Sequence, residues 1–290
     1  KGFFLMNDGS RMDWHFKHAI NIGSIEKAYN SIISVFRFLS FRENVGFESI
    51  ALLKKDDSLP ENDCYSKFAV CHIQDTKSFT KRPYQRCIDF RMLDSSVLSK
   101  LFATIMRDAE RKASYCINFL PKSDNEYLFV DNEKIRATIS AIECELELAK
   151  ITLPRTEKLE ALKKQVINIV KRSQDNTELN EKSYSVILGS IDHWGDSLSD
   201  RIYELYLRHK DEMDVFLKDL PGYVFSEKEI GNLVIYRNDI THGKYRVNTE
   251  DIAAATLCLM ALVYCCILTR IGMEKSQIVD IMKSGAFLYN

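Results

Sequence analysis

The sequence predicts an α+β chain, with a mixed α/β module over residues 1–130 followed by an all-α helical bundle over residues 131–290. Three observations predict it. Short apolar or alternating runs bounded by polar residues, the pattern of strands, are confined to the first third. Beyond Asp131 apolar residues recur at helical spacing only. Five prolines and eleven glycines, scattered along the chain, leave no linker-rich or low-complexity stretch between the elements.

In the first part, residues 12–22, 47–53, 68–73 and 86–92 read as strands. Between them Ser24 can cap a helix carrying Ile25, Tyr29, Ile32, Phe36 and Leu39 on one face. A second helix begins near Asp94, presents Val97, Leu101, Ile105 and Ala109, and stops before Pro121. The module reads as incomplete at its start, because the chain opens on Lys1 with no signal-peptide pattern.

In the second part, Ile135, Ile139, Ile142, Leu146 and Ala149 form one helical stripe that Pro154 ends. A helix over 156–171, a polar loop over 173–180 and a long helical region over 183–217, broken near Gly195, follow. Ser226 with Glu229 is a capping box that opens the next helix, and Gly243 is its stop. Thr249, with Glu250 and Asp251 behind it, opens a last and very apolar helix. Its charge-free core, residues 252–269, is at the lower length limit of a membrane span and lacks basic or aromatic flanks. A buried central helix is therefore expected, with no membrane partner.

A formal net charge of −1 excludes a protein that coats nucleic acid through bulk positive charge, so any RNA contact must be local. Lys244 and Arg246 form one such local pair and are the candidate RNA-binding residues; Lys163, Lys164, Lys171 and Arg172 form another group. Eight cysteines without a CxxC pair or disulfide-scaffold spacing fit a reducing cytoplasm. No phosphate-cradling glycine loop or nucleophile elbow occurs, which leaves ATP-driven and hydride-transfer chemistry without support. Asp13, His15, His18 and the Cys71–His72 pair match no zinc pattern, so neither a metal nor another cofactor is expected.

The candidate for chemistry is the segment Arg237, Asn238, Asp239, Ile240, Thr241, His242 and Gly243. On a helix Asn238 and His242 share a face, so the amide can orient the imidazole or share its ligand. Arg237 lies about 140° from His242 around the axis, and the two converge only if the arginine wraps around or a second copy faces the first. These residue types suit cleavage of RNA by its own 2′-hydroxyl. Histidine moves the proton near neutrality, and arginine holds the crowded anionic phosphate. The spacing alone does not decide between catalysis and an ordinary polar helix face, since Arg11 and His18 satisfy it too. A non-catalytic bundle that binds nucleic acid or protein through the same residues is the alternative.

The same segment resembles the HEPN ribonuclease signature, an arginine followed by a polar residue and, four to six residues on, a histidine. The resemblance covers about residues 131–290. Upstream, the chain is similar to ApeA-like antiphage proteins, in which a mixed N-terminal module precedes a C-terminal HEPN domain, and residues 13–54 look like the later part of that module. The resemblance implies that Arg237 and His242 are the catalytic pair and Asn238 the polar position beside the arginine. It implies a metal-independent RNase acting on RNA as a homodimer, with the site between two HEPN domains. It also implies an abortive-infection effector whose N-terminal module meets a phage-derived trigger. Some members use an acidic residue on the first helix; Glu143 is the nearest, but with Glu145 and Glu147 beside it a structural role is expected.

Overall fold

The structure, a computed structural model, describes residues 3–6, 9–12, 23–43, 45, 49–55, 58, 65–72, 88, 92–110, 114–122, 126, 129–151, 153, 157–173, 180–192, 194–195 and 197–283. Two small antiparallel hairpins come first. Strands β1 (Phe3–Met6) and β2 (Gly9–Met12) pair with Met6 opposite Gly9, and β3 (Ser49–Lys55) pairs with β4 (Tyr65–His72) with a register shift at Leu52/Leu53. The expected strands over 47–53 and 68–73 are β3 and β4, each displaced by a few residues. Of the strand expected over 12–22, only Met12 is described, and it ends β2. Within 86–92 the described residues Ile88 and Met92 are not in a strand: the Ile88 N–H donates to Leu39 O at 2.8 Å, and its side chain packs in the core. Burial beneath a helix, not strand pairing, explains that apolar residue. The β1–β2 hairpin was not expected, because four-residue strands, one of them Gly-Ser-Arg-Met, carry too short an alternation to read.

Helices dominate the rest. In order they are α1 (Gly23–Ser40), α2 (Ser95–Glu110), a 3-10 turn at Ser114–Ile117, α3 (Asn132–Leu148), α4 (Glu157–Ser173), α5 (Glu181–Asp192), α6 (Leu198–Arg208), α7 (Lys210–Leu217), α8 (Glu227–Thr241), α9 (Glu250–Arg270) and α10 (Lys275–Lys283). Caps begin several of them. Asp94 Oδ1 accepts from the Ser96 and Val97 N–H groups, Asp131 Oδ1 from Lys134, and Thr249 Oγ1 from Ile252. The long region over 183–217 breaks at Gly195, where φ is +80°, and again at His209, with φ −109° and ψ 22°. The second break has no glycine or proline to announce it. His209 sits with its Nδ1 3.5 Å from Oε1 of the fully buried Glu212, and burial pushes the imidazole pKa down against the opposing pull of that carboxyl group.

Helix α9 is the axis of the bundle. It is long and apolar enough to cross a membrane by length and composition, yet most of it is buried against α3, α7, α8 and α10. Helices from before residue 130 share its core: the Phe38 ring of α1 stacks on Tyr264 of α9 at 4.2 Å, and the Tyr264 hydroxyl donates to Phe38 O at 2.8 Å. A stacked pair adds about 0.5–1.5 kcal/mol to the burial of both rings. At the far end of α9, Arg270 reaches two buried carboxylates, Asp108 of α2 at 3.0 Å and Glu145 of α3 at 2.8 Å. One apolar cluster thus runs from α1 and α2 through to α10, with Val130 inside it.

Candidate active site at the end of helix α8

Helix α8 is set in place at both ends. Ser226 Oγ accepts from the Glu229 N–H to start it. At the other end Thr241 is the last helical residue, His242 caps it and Gly243 turns into the left-handed region at φ +74°. The Gly243 N–H then donates to Ile240 O and the Lys244 N–H to Asp239 O, the paired bonds of a Schellman stop. Glycine is required there because a side chain at that φ is strained.

Where a hydrophobic contact often closes this motif, the chain places charge. Lys244 Nζ donates to Asp239 Oδ1 at 2.9 Å and Arg246 Nε to Asp239 Oδ2 at 2.7 Å. Lys244 and Arg246, the sequence-predicted RNA contacts, therefore anchor the segment after α8, with both side chains still half exposed or more. The Lys244 bond first and the Arg246 bond second hold the Asp239 carboxyl below the usual carboxylate range. With its folded pKa lowered, this carboxylate contributes stability above the ordinary value of about 4 and loses it as pH falls through the folded value. In urea denaturation Asp239→Asn is expected to be less stable than the parent at pH 7, with the gap closing in acid. A gap unchanged at about pH 3 would remove the clamp from the account of stability.

Helix α3 grips α8 at two points. Arg136 and Glu143, seven residues apart and so on one face of α3, reach the last turns of α8. The Arg136 guanidinium donates to Ile240 O, adding a cation to a C-terminal carbonyl that also accepts from the Gly243 N–H. Glu143 accepts from Arg237 Nη2 through both carboxylate oxygens at 2.8 Å. Arg237 Nη1 in turn donates to Asn238 Oδ1 at 3.1 Å. The ion pair is only partly shielded, with side chains 24% and 37% exposed, so its contribution is orientation more than stability. Arginine has five N–H donors, and those left over have no protein partner among the described residues.

The structure therefore joins Arg237, Asn238 and Glu143 and sets His242 beside them on the same terminal turns. His242 is exposed, its backbone N–H bound to Asn238 O at 3.0 Å and its imidazole without a hydrogen bond among the described residues. Asn238 contacts the arginine and not the imidazole it was expected to orient. Glu143, expected to be structural, is the acidic partner of the candidate arginine. Sequence reasoning missed Arg136 altogether; its signal was the seven-residue spacing from Glu143 on one helix face.

Other nucleophiles are poorly placed. Burial pushes the Cys116 thiol up to about 12 and raises Cys258, Cys265 and Cys266 as well, which keeps them protonated and inert. Among the described residues no group of three or more His, Cys, Asp or Glu is placed to hold a metal. His15 and His18 lie outside the described residues.

The helical bundle thus presents an anchored arginine, its neighbouring amide and an exposed histidine on the last turns of one helix. Residues 144–277 match the family described as Apea-like HEPN, a span that runs from within α3 through α9 into α10 and contains Arg237 and His242. Over these residues the chain is similar to the Apea-like HEPN family. No curated protein and no solved structure matches the chain.

Proposed function

We propose that the chain is a metal-independent endoribonuclease and the cytoplasmic effector of an abortive antiphage response. The observation that carries the reading is the pairing of Arg237 with Glu143 and Asn238 beside the exposed His242 at the end of α8. The ribose 2′-oxygen attacks the adjacent phosphorus, His242 accepts the hydroxyl proton or delivers one to the departing 5′-oxygen, and the bond from phosphorus to that oxygen breaks. The products are a 2′,3′-cyclic phosphate and a 5′-hydroxyl. Arg237, its direction set by Glu143, meets the phosphate with its remaining donors while charge accumulates.

In one copy no hydrogen bond joins Arg237 to the His242 imidazole, which favours a homodimer in which the α8 ends of two copies face each other and share two composite sites. The segment before residue 130 meets a phage-derived trigger in this reading. Free thiols at Cys116, Cys144, Cys258, Cys265 and Cys266 suit a reducing cytoplasm.

The test is cleavage of purified RNA in excess EDTA with analysis of the new ends. Persisting cleavage with cyclic phosphate termini is the expected result. Activity that vanishes on chelation and returns with magnesium or manganese would sink the mechanism.

A further inference from the structure

We infer that Tyr245 is a stacking platform for an unpaired base of the RNA, beside the candidate active site. The inference rests on the nuclease reading above and names the form of its substrate, a single strand.

Tyr245 is the most exposed large apolar side chain among the described residues, at 90%. Lys244 and Arg246 on either side of it both turn back to Asp239, while the Tyr245 side chain is left to solvent. Val247, two positions on, is 65% exposed.

Single exposed apolar side chains are ordinary on protein surfaces. What sets this one apart is the rigidity of its support. The turn at Gly243 fixes the start of the segment, and the Asp239 clamp fixes its middle. The Tyr236 hydroxyl reaches Arg246 O at 3.4 Å, and the Asn248 amide donates to Val130 O at the entrance of α3. A ring held out on a braced segment loses little conformational entropy on binding, the property that makes tyrosine effective at recognition surfaces.

Position and charge choose the occupant. Three residues span at most about 11 Å, so a base on Tyr245 belongs to a nucleotide within a few positions of a phosphate at His242. Lys244 and Arg246, the residues on either side of Tyr245, outnumber the Asp239 carboxylate they share. A local cationic excess beside an aromatic face matches a polyanion with flat bases, and in duplex RNA those faces are already stacked.

The test measures binding in the His242→Ala background, so that the RNA is not consumed. The probes are a short labelled oligoadenylate, the matching abasic sugar-phosphate strand and a duplex, each titrated by fluorescence anisotropy at several salt concentrations. Tyr245→Ala is expected to weaken oligoadenylate binding by about 5- to 150-fold, the range of one base–aromatic stack. Tyr245→Trp should retain affinity. Binding of the abasic strand and of the duplex should be unchanged, as should the salt slope, because no phosphate contact is removed. Equal oligoadenylate affinity for parent and Tyr245→Ala overturns the platform while leaving the nuclease reading intact. Loss of oligomerisation in Tyr245→Ala, read by sedimentation, also overturns it and assigns the residue to contact with a second copy. If the parent cleaves no RNA before His242 is replaced and binds none after, both readings fall together.

Discussion

Replacing His242 with alanine is expected to lower the rate of RNA cleavage by roughly 10² to 10⁴, the usual contribution of one general acid or base. The fold should survive, because the side chain is exposed and makes no hydrogen bond among the described residues. Arg237→Ala should be similarly inactive, with Glu143 left facing solvent. Mixing the two variants under conditions of subunit exchange is the sharper measurement. In a mixed dimer the arginine of one copy meets the histidine of the other, so cleavage should partly return. If each site drew both groups from one copy, the mixture would hold no complete set. An inactive mixture with exchange verified, or full activity in a dilute monomeric parent, would refute the shared site.

The second large effect is expected at Arg270. This side chain bridges Asp108 and Glu145, two carboxylates with 6% and 2% of their side-chain surface exposed. Removing the cation between buried anions typically costs about 3–5 kcal/mol, more than the bridge itself is worth, because the desolvated charges remain. Arg270→Ala should therefore fall by that amount in denaturant titration. A triple variant that also replaces Asp108 and Glu145 with apolar residues of similar size should recover much of the loss. A loss below about 1 kcal/mol in the single variant would show that solvent already screens the cluster.

What the sequence made legible were the features written locally. The Ser226, Thr249 and Asp94 caps, the Gly243 stop and the apolar run of α9 each depend on residues within one or two turns, and each stands where the pattern put it. The arginine and histidine of α8 were legible for the same reason. Their surroundings were not. Glu143 meets Arg237 across 94 positions and Arg136 meets the Ile240 carbonyl across 104, and no periodicity encodes which face of α3 turns toward which end of α8. Lys244 and Arg246 looked like free cations because their partner, Asp239, lies in the preceding helix and faces them only once Gly243 reverses the chain. The break at His209 was hidden because no glycine or proline marks it.

The Tyr264–Phe38 contact has a kinetic side. Its partners are 226 residues apart, and closing a loop of that length costs about 5 kcal/mol in chain entropy against about 2 for ten residues. Contacts of this range slow folding, because the entropy is lost before the packing rewards it. Synthesis delivers Arg237 and His242 before α9, and translation adds only about 5–20 residues each second. A nascent chain halted short of Glu250 thus carries the candidate residues but lacks the helix on which α3, α7 and α8 converge. The order of the elements defers assembly of the site until α9 has been made.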